Sequence, residues 1–225
     1  MVKIRVSKVS ACITQPHVMT LYSLPLFPLN IVIFPDGLLP LRIFETRYLD
    51  MVSACLRNQT PFGLVVHRPE FANETRNALP FTRVGTTFMI MEADVTQVGL
   101  MNIVCRGINR FRIHSARQQA GGLWLGDVED IANDLELNIP DDLKNIAEML
   151  RQLVESLLEQ GMEESKLPFV KPYKFEDCSW VSNRWCEILA MSLQEKQRML
   201  ELDSPLVRLE LVQDWISDDL DQGHS

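Results

Sequence analysis

The chain has 225 residues, 46% of them apolar and 23% charged, with no low-complexity tract; this suits a globular protein of one large domain or two small ones, with ample length for a buried core. The net charge of −8 becomes −11 over residues 21–225, because residues 1–20 carry Lys3, Arg5 and Lys8 and no acid. Phosphate binding needs a basic face, so this balance argues against nucleic acid as the main partner.

The amino-terminal 20 residues lack a continuous apolar core and do not read as a signal peptide. They are expected to form a loosely ordered extension, with Met19 as an alternative start. The most apolar stretch, Leu24 to Phe44, is broken by Pro25, Pro28, Pro35 and Pro40 and by Asp36 and Arg42, which a membrane helix does not tolerate. From residue 21 to about 130, short β-branched and aromatic runs alternate with Pro and Gly breaks, the pattern of strands. LPLRIF and PFGLVVH read as strands around a single helix, ETRYLDMVSACLRN. There Tyr48, Met51, Val52, Cys55 and Leu56 share one face, and Arg57 suits the carboxyl-terminal end of the helix dipole. VGTTFMIMEADV is apolar on both faces and is expected deep in the fold. Between Met101 and Ile113 the apolar residues Met101, Ile103, Cys105, Phe111 and Ile113 take odd positions, whereas Asn102, Arg106, Arg110 and Arg112 take even ones. This predicts one long half-buried strand, or two in a bent ribbon, with Gly107 at the bend. With GLWLGDVED as a further strand, the sheet has enough members to curl into a small barrel.

From about residue 138 to 220 the apolar spacing changes to three and four, the period of helices. Pro140 is expected as the first helical residue, before a stripe from Leu143 to Leu158 that ends at Gly161. Ser192 and Glu195 form a capping-box pattern, and Ser204–Pro205 open a last helix with two apolar ridges. KLPFVKPYKF reads as a connector.

Three segments carry a family likeness. LPLFPLNIVIFPDGLLPLRIFETRYLDMV (24–52), NIVCRGINRFRI (102–113) and MSLQEKQRMLELDSPLVRLELV (191–212) resemble, in order, parts of the amino-terminal substrate-binding domain of Lon-type ATP-dependent proteases. The resemblance implies an α+β fold: a PUA-like, strand-rich pseudo-barrel with one inserted helix over 21–130, then a carboxyl-terminal helical bundle over 138–220. The sequence departs from full-length Lon proteases in having no GxxxxGK[ST]; no glycine here precedes a lysine. The expectation is therefore a free-standing, non-catalytic module in the cytoplasm that binds an unfolded client or a protein partner, for instance a separate ATP-dependent protease, without cofactor or metal.

Alternatives of another class are an RNA-associated PUA-like module, using Arg106, Arg110 and Arg112, and an unrecognised hydrolase. The five cysteines (Cys12, Cys55, Cys105, Cys178 and Cys186) are odd in number and show no CxxC spacing, so reduced, packed thiols are expected. Ser165–Lys166 reads as a polar loop rather than a dyad, and His67 with Cys105 lacks an orienting third group. His114 is expected on the polar strand face. Arg42, Glu45, Arg47 and Tyr48, with Arg106, Gly107 and Phe111, read as structural. The apolar surplus points to a binding surface. Phe34, Leu38 and Leu39, beside Pro35 and Gly37, are the candidates for a turn that exposes its side chains, and Phe169, Tyr173 and Phe175 for a groove between barrel and bundle.

Overall fold

The computed structural model describes residues 3–5, 20–68, 79–163, 167–168 and 170–222. The chain divides into two compact units, 1–132 and 133–225.

The first unit is built from β1 (Lys3–Arg5), β2 (Tyr22–Leu29), β3 (Leu38–Ile43), α1 (Thr46–Asn58), β4 (Phe62–Val66), β5 (Val84–Gln97), β6 (Leu100–Gln118) and β7 (Trp124–Asp130). Hydrogen bonding runs β1-β5-β4-β2-β7-β6-β3, and β5 pairs again with β6. Five strands thus close into a ring, while β1 and β3 are attached outside it. Closure removes most sheet edges. Alternation along β6 is what makes this work. Its residues Ile103, Cys105, Phe111 and Ile113 are buried. β3 pairs with its first part, over Met101–Arg106, and β7 with its last, over Phe111–Gln118. Gly107 lies where one partner gives way to the other. Two apolar clusters fill the unit, one around Phe62, Phe88 and the buried face of α1, the other around Leu24, Leu26 and Phe111. A Cβ at Gly63 or Gly85 would come within 2.7 or 2.8 Å of the Phe111 ring, so these strand glycines make room for that ring.

The second unit holds a 3-10 turn (Asp141–Leu143) and helices α2 (Lys144–Glu159), α3 (Cys178–Ile188), α4 (Leu193–Glu201) and α5 (Pro205–Gln222). Pro140 precedes the 3-10 turn as its cap rather than being the first helical residue. α2 ends in a Schellman motif: Met162 N–H donates to Leu157 O, Gly161 N–H to Leu158 O, and Gly161 has φ +87°. Ser192 and Glu195 form the reciprocal capping box of α4, and Ser204 Oγ accepts from Val207 N–H at the start of α5. No periodic stripe in the sequence marks α3. This helix is buried on nearly every side, from Cys178 through Trp180, Val181, Ser182, Asn183, Arg184 and Trp185 to Cys186, and a helix with no solvent face shows no amphipathic period. Its polar residues sit in a buried network. Arg208, 1% exposed, donates to Asp134 Oδ2 (2.7 Å), Asn183 Oδ1 (2.9 Å) and the carbonyls of Met199 and Leu202. Ser179 Oγ donates to the same Asp134 oxygen.

Candidate recognition surfaces

The turn before β3 corrects an expectation. Phe34 is fully buried and Leu39 is buried in the core; only Leu38 keeps partial exposure. The cause is a backbone clamp. Asp36 N–H donates to Gly107 O, Gly107 N–H donates to Gly37 O, and Gly37 N–H closes the turn on Phe34 O. Thr86 Oγ1 donates to Ile33 O at 2.7 Å. Held flat against β6, the turn has its apolar side chains directed inward. Arg106 fastens it from outside through Asp36 Oδ1.

The exposed apolar side chains of this unit lie farther along. Phe44, just beyond β3, is 69% exposed; Val95, near the end of β5, is half-exposed; Val98, at the tip of the β5–β6 hairpin, is fully exposed. Register places them at one end of the sheet, because Ile43 and Val95 both pair with Met101. Beside this end, residues 40–42 of β3, 92–94 of β5 and 102–104 of β6 line an open cleft of about 380 Å³. Arg42, exposed in β3, forms one wall with Asn102 and Asp94. Asp94 Oδ1 is buried and has no hydrogen-bond partner among the described residues.

At the strand-to-helix junction, Arg47 pairs with Glu45 at 2.6 Å, donates to Gly122 O and lies over the Tyr48 ring. Tyr48 is buried and stacks on Phe27. The basic stripe expected on β6 is not a free cationic face. Arg110 is buried, Arg106 pairs with Asp36, and Arg112 and His114 both face Glu129.

In the second unit, Tyr173 and Phe175 line a cleft of about 360 Å³ with residues 136–138, Glu176 and Asp177. Phe175 is largely committed to its own unit, with the Arg151 guanidinium 4.5 Å from its ring centre and Trp180 edge-on at 5.2 Å. Tyr173 keeps partial exposure. Phe169 lies outside the described residues, as do Ser165 and Lys166.

Residues 23–218 match the model of the ATP-dependent protease La (LON) substrate-binding domain. The chain belongs to this family. It is 28% identical to the Lon N-terminal domain protein from Xanthomonas campestris, whose crystal structure superposes with a TM-score of 0.68, covering 86% of this chain and 98% of that one. The N-terminal domain of the Mycobacterium avium complex Lon protease, 17% identical, shares the fold with a TM-score of 0.56, covering 88% of this chain and 99% of that one. Among full-length proteins, it is 22% identical to a Lon protease of Cytophaga hutchinsonii and 24% identical to Lon protease 2 of Myxococcus xanthus. The alignments cover 82% and 84% of this chain and 23% of each relative, so it spans about a quarter of their length.

As a Lon substrate-binding domain the chain belongs to a non-catalytic family, and its thiols fit that. Cys55 and Cys105 are buried, and burial raises both thiols above their usual range; Cys186 is pushed up to about 12 by the same cause. A nucleophilic cysteine needs the opposite shift. His67 is exposed whereas Cys105 is fully buried. Among the described residues, no group of His, Cys, Asp or Glu is placed to hold a metal, and no helix is long and apolar enough to cross a membrane.

Proposed function

We propose that this Lon substrate-binding domain recognises polypeptides, without catalysis, through the end of the sheet formed by β3, β6 and β5. The observation that carries this reading is the coincidence of exposed apolar side chains at Phe44, Val95 and Val98 with the adjoining cleft. Scattered single apolar residues need no explanation, but several at one sheet end beside a concavity form an anchor for an apolar chain. The family description, a substrate-binding domain, supports the same class of ligand. In this reading the module works in the cytoplasm and holds unfolded clients or presents them to an ATP-dependent protease. Pairing of Arg106, Arg112 and His114 with acids, and burial of Arg110, weighs against an RNA-binding role.

The test is site-specific photocrosslinking in cells, with the probe at Phe44 or Val98 and a control probe at His114. Polypeptides, including ATPase subunits or unfolded clients, are expected from Phe44 and Val98 but not from His114. Equal recovery from all three positions, or RNA recovered at His114 with no polypeptide at the others, would overturn the proposal.

A further inference from the structure

β4 leaves β5 at the Phe62–Phe88 pair, so β4 does not cover the edge of β5 beyond that point. Over Glu92–Asp94 this edge carries β1, antiparallel, with Arg5 opposite Glu92, Ile4 opposite Ala93 and Lys3 opposite Asp94. Register extends the order across four strands. One row reads Arg42, Asn102, Asp94, Lys3; the next, Leu41, Ile103, Ala93, Ile4; the third, Pro40, Val104, Glu92, Arg5.

Successive residues of a strand alternate faces, so these rows set a chemical requirement on whatever occupies the edge. Ile103 and Ala93 of the middle row belong to the buried apolar cluster, and Leu41 packs against it. A residue opposite Ala93 shares that face and should be apolar. On β3, β6 and β5 the flanking rows lie on the outer face, beside the cleft, and carry Glu92 and Asp94. Residues opposite them should be basic. The orphaned Asp94 Oδ1 adds to this, because a buried carboxylate oxygen without a donor is stabilised by an incoming cation. Lys3–Ile4–Arg5 has the required order in the chain itself.

We propose that the Glu92–Asp94 edge of β5 is a strand-addition site for extended polypeptides with a basic–apolar–basic alternation. The chain's own Lys3–Ile4–Arg5 is its resident occupant, and a client strand of the same pattern displaces it. Backbone pairing supplies affinity and the alternate side chains supply selectivity. The proposal rests on the polypeptide-recognition reading above and gives it a sequence preference. A tethered occupant competes at an effective concentration of about a millimolar, so the site is partly closed until a client arrives.

The test is fluorescence anisotropy with a labelled peptide of residues 1–10, MVKIRVSKVS, on the full chain and its variants. Lys3→Glu/Arg5→Glu in the chain places acids in the same cross-strand rows as Glu92 and Asp94 and should release the resident strand; the peptide should then bind at least tenfold more tightly than to the unaltered chain. Adding Glu92→Lys/Asp94→Lys should abolish that binding. The same four-substitution chain should close again on its own acidic strand. Glu92→Lys/Asp94→Lys alone should instead bind a peptide carrying Glu at both basic positions. Equal binding of MVKIRVSKVS to the released and unaltered chains, or no response to the charge swap, would overturn the proposal. A reduced, unfolded polypeptide measured on the same samples separates the two readings. If it binds while the peptide result fails, the strand-addition site falls and general recognition stands; if neither binds to any variant, both fall.

Discussion

Arg106 holds Asp36 across 70 residues of sequence, donating from Nε at 3.2 Å and from Nη2 at 2.5 Å to a single carboxylate oxygen. Asp36 has φ 67°, a left-handed conformation uncommon outside glycine, so the ion pair braces a strained turn against β6. Both side chains are about a third exposed, which moderates the pair's strength. Asp36→Ala should cost roughly 1–2 kcal/mol, from the lost charge-assisted bonds and because alanine tolerates positive φ less well than aspartate. Asp36→Gly should cost less, since it relieves the backbone part. Urea denaturation of both variants checks the order; equal losses would remove the backbone contribution.

Gly107 should tolerate no side chain. A Cβ there would meet Phe34 O at 2.5 Å, and this is backbone, which cannot swing aside. Gly107→Ala is expected to destabilise by about 3 kcal/mol, at the upper end for overpacking. It should also speed hydrogen exchange at the amides of Asp36 and Gly37. Exchange unchanged at those two amides would show that the turn is not held by the clamp.

In the second unit, Arg208→Met removes the guanidinium that pairs with the buried Asp134 carboxylate. The expected loss is about 3–5 kcal/mol, the usual effect of breaking a buried pair from one side. Asp134→Leu added to Arg208→Met should recover a substantial part, since the penalty is mostly a stranded charge. Thermal denaturation of the single and double variants measures this; a double variant no better than the single would mean that the bonds of Arg208 to Asn183, Met199 and Leu202 matter more.

The thiols give the stability a definite slope at high pH. Cys105 and Cys186 ionise less readily folded than unfolded. Between the unfolded thiol range, roughly pH 8.5, and the folded value of about 12 for Cys186, the unfolded chain therefore binds fewer protons than the folded one. Stability should be full below this window and fall as pH rises through it. Tyr22, whose phenol is raised by burial and by its bond to Asp130, acts with the same sign. Urea midpoints between pH 7 and 11 check the trend, and iodoacetamide at pH 8 should label Cys105 and Cys186 only after unfolding.

Much of this was legible in the sequence because it depends on spacing along one element. The alternation of Ile103, Cys105, Phe111 and Ile113 reports a half-buried strand whatever its partners are. The stripe of α2, the capping box of Ser192 and Glu195, and the glycine that ends α2 are likewise set within a few residues. The segments shared with Lon substrate-binding domains carried the α+β class.

What the sequence could not decide was which apolar residues face water. Phe34 sits beside Pro35 and Gly37 and looks like the tip of an exposed turn, yet the hydrogen bonds that direct it inward come from Gly107, far away in the chain. Phe44 looks like one more strand residue and is left outside because β3 has ended. α3 has no polar face to reveal it, since Arg184 and Asn183 are buried with its tryptophans. The rows running from Arg42 to Lys3 and from Pro40 to Arg5 exist only once four strands are set in register. Local order follows from periods of two and 3.6 residues, whereas exposure and cross-strand chemistry follow from pairings between distant segments, which only the tertiary structure fixes.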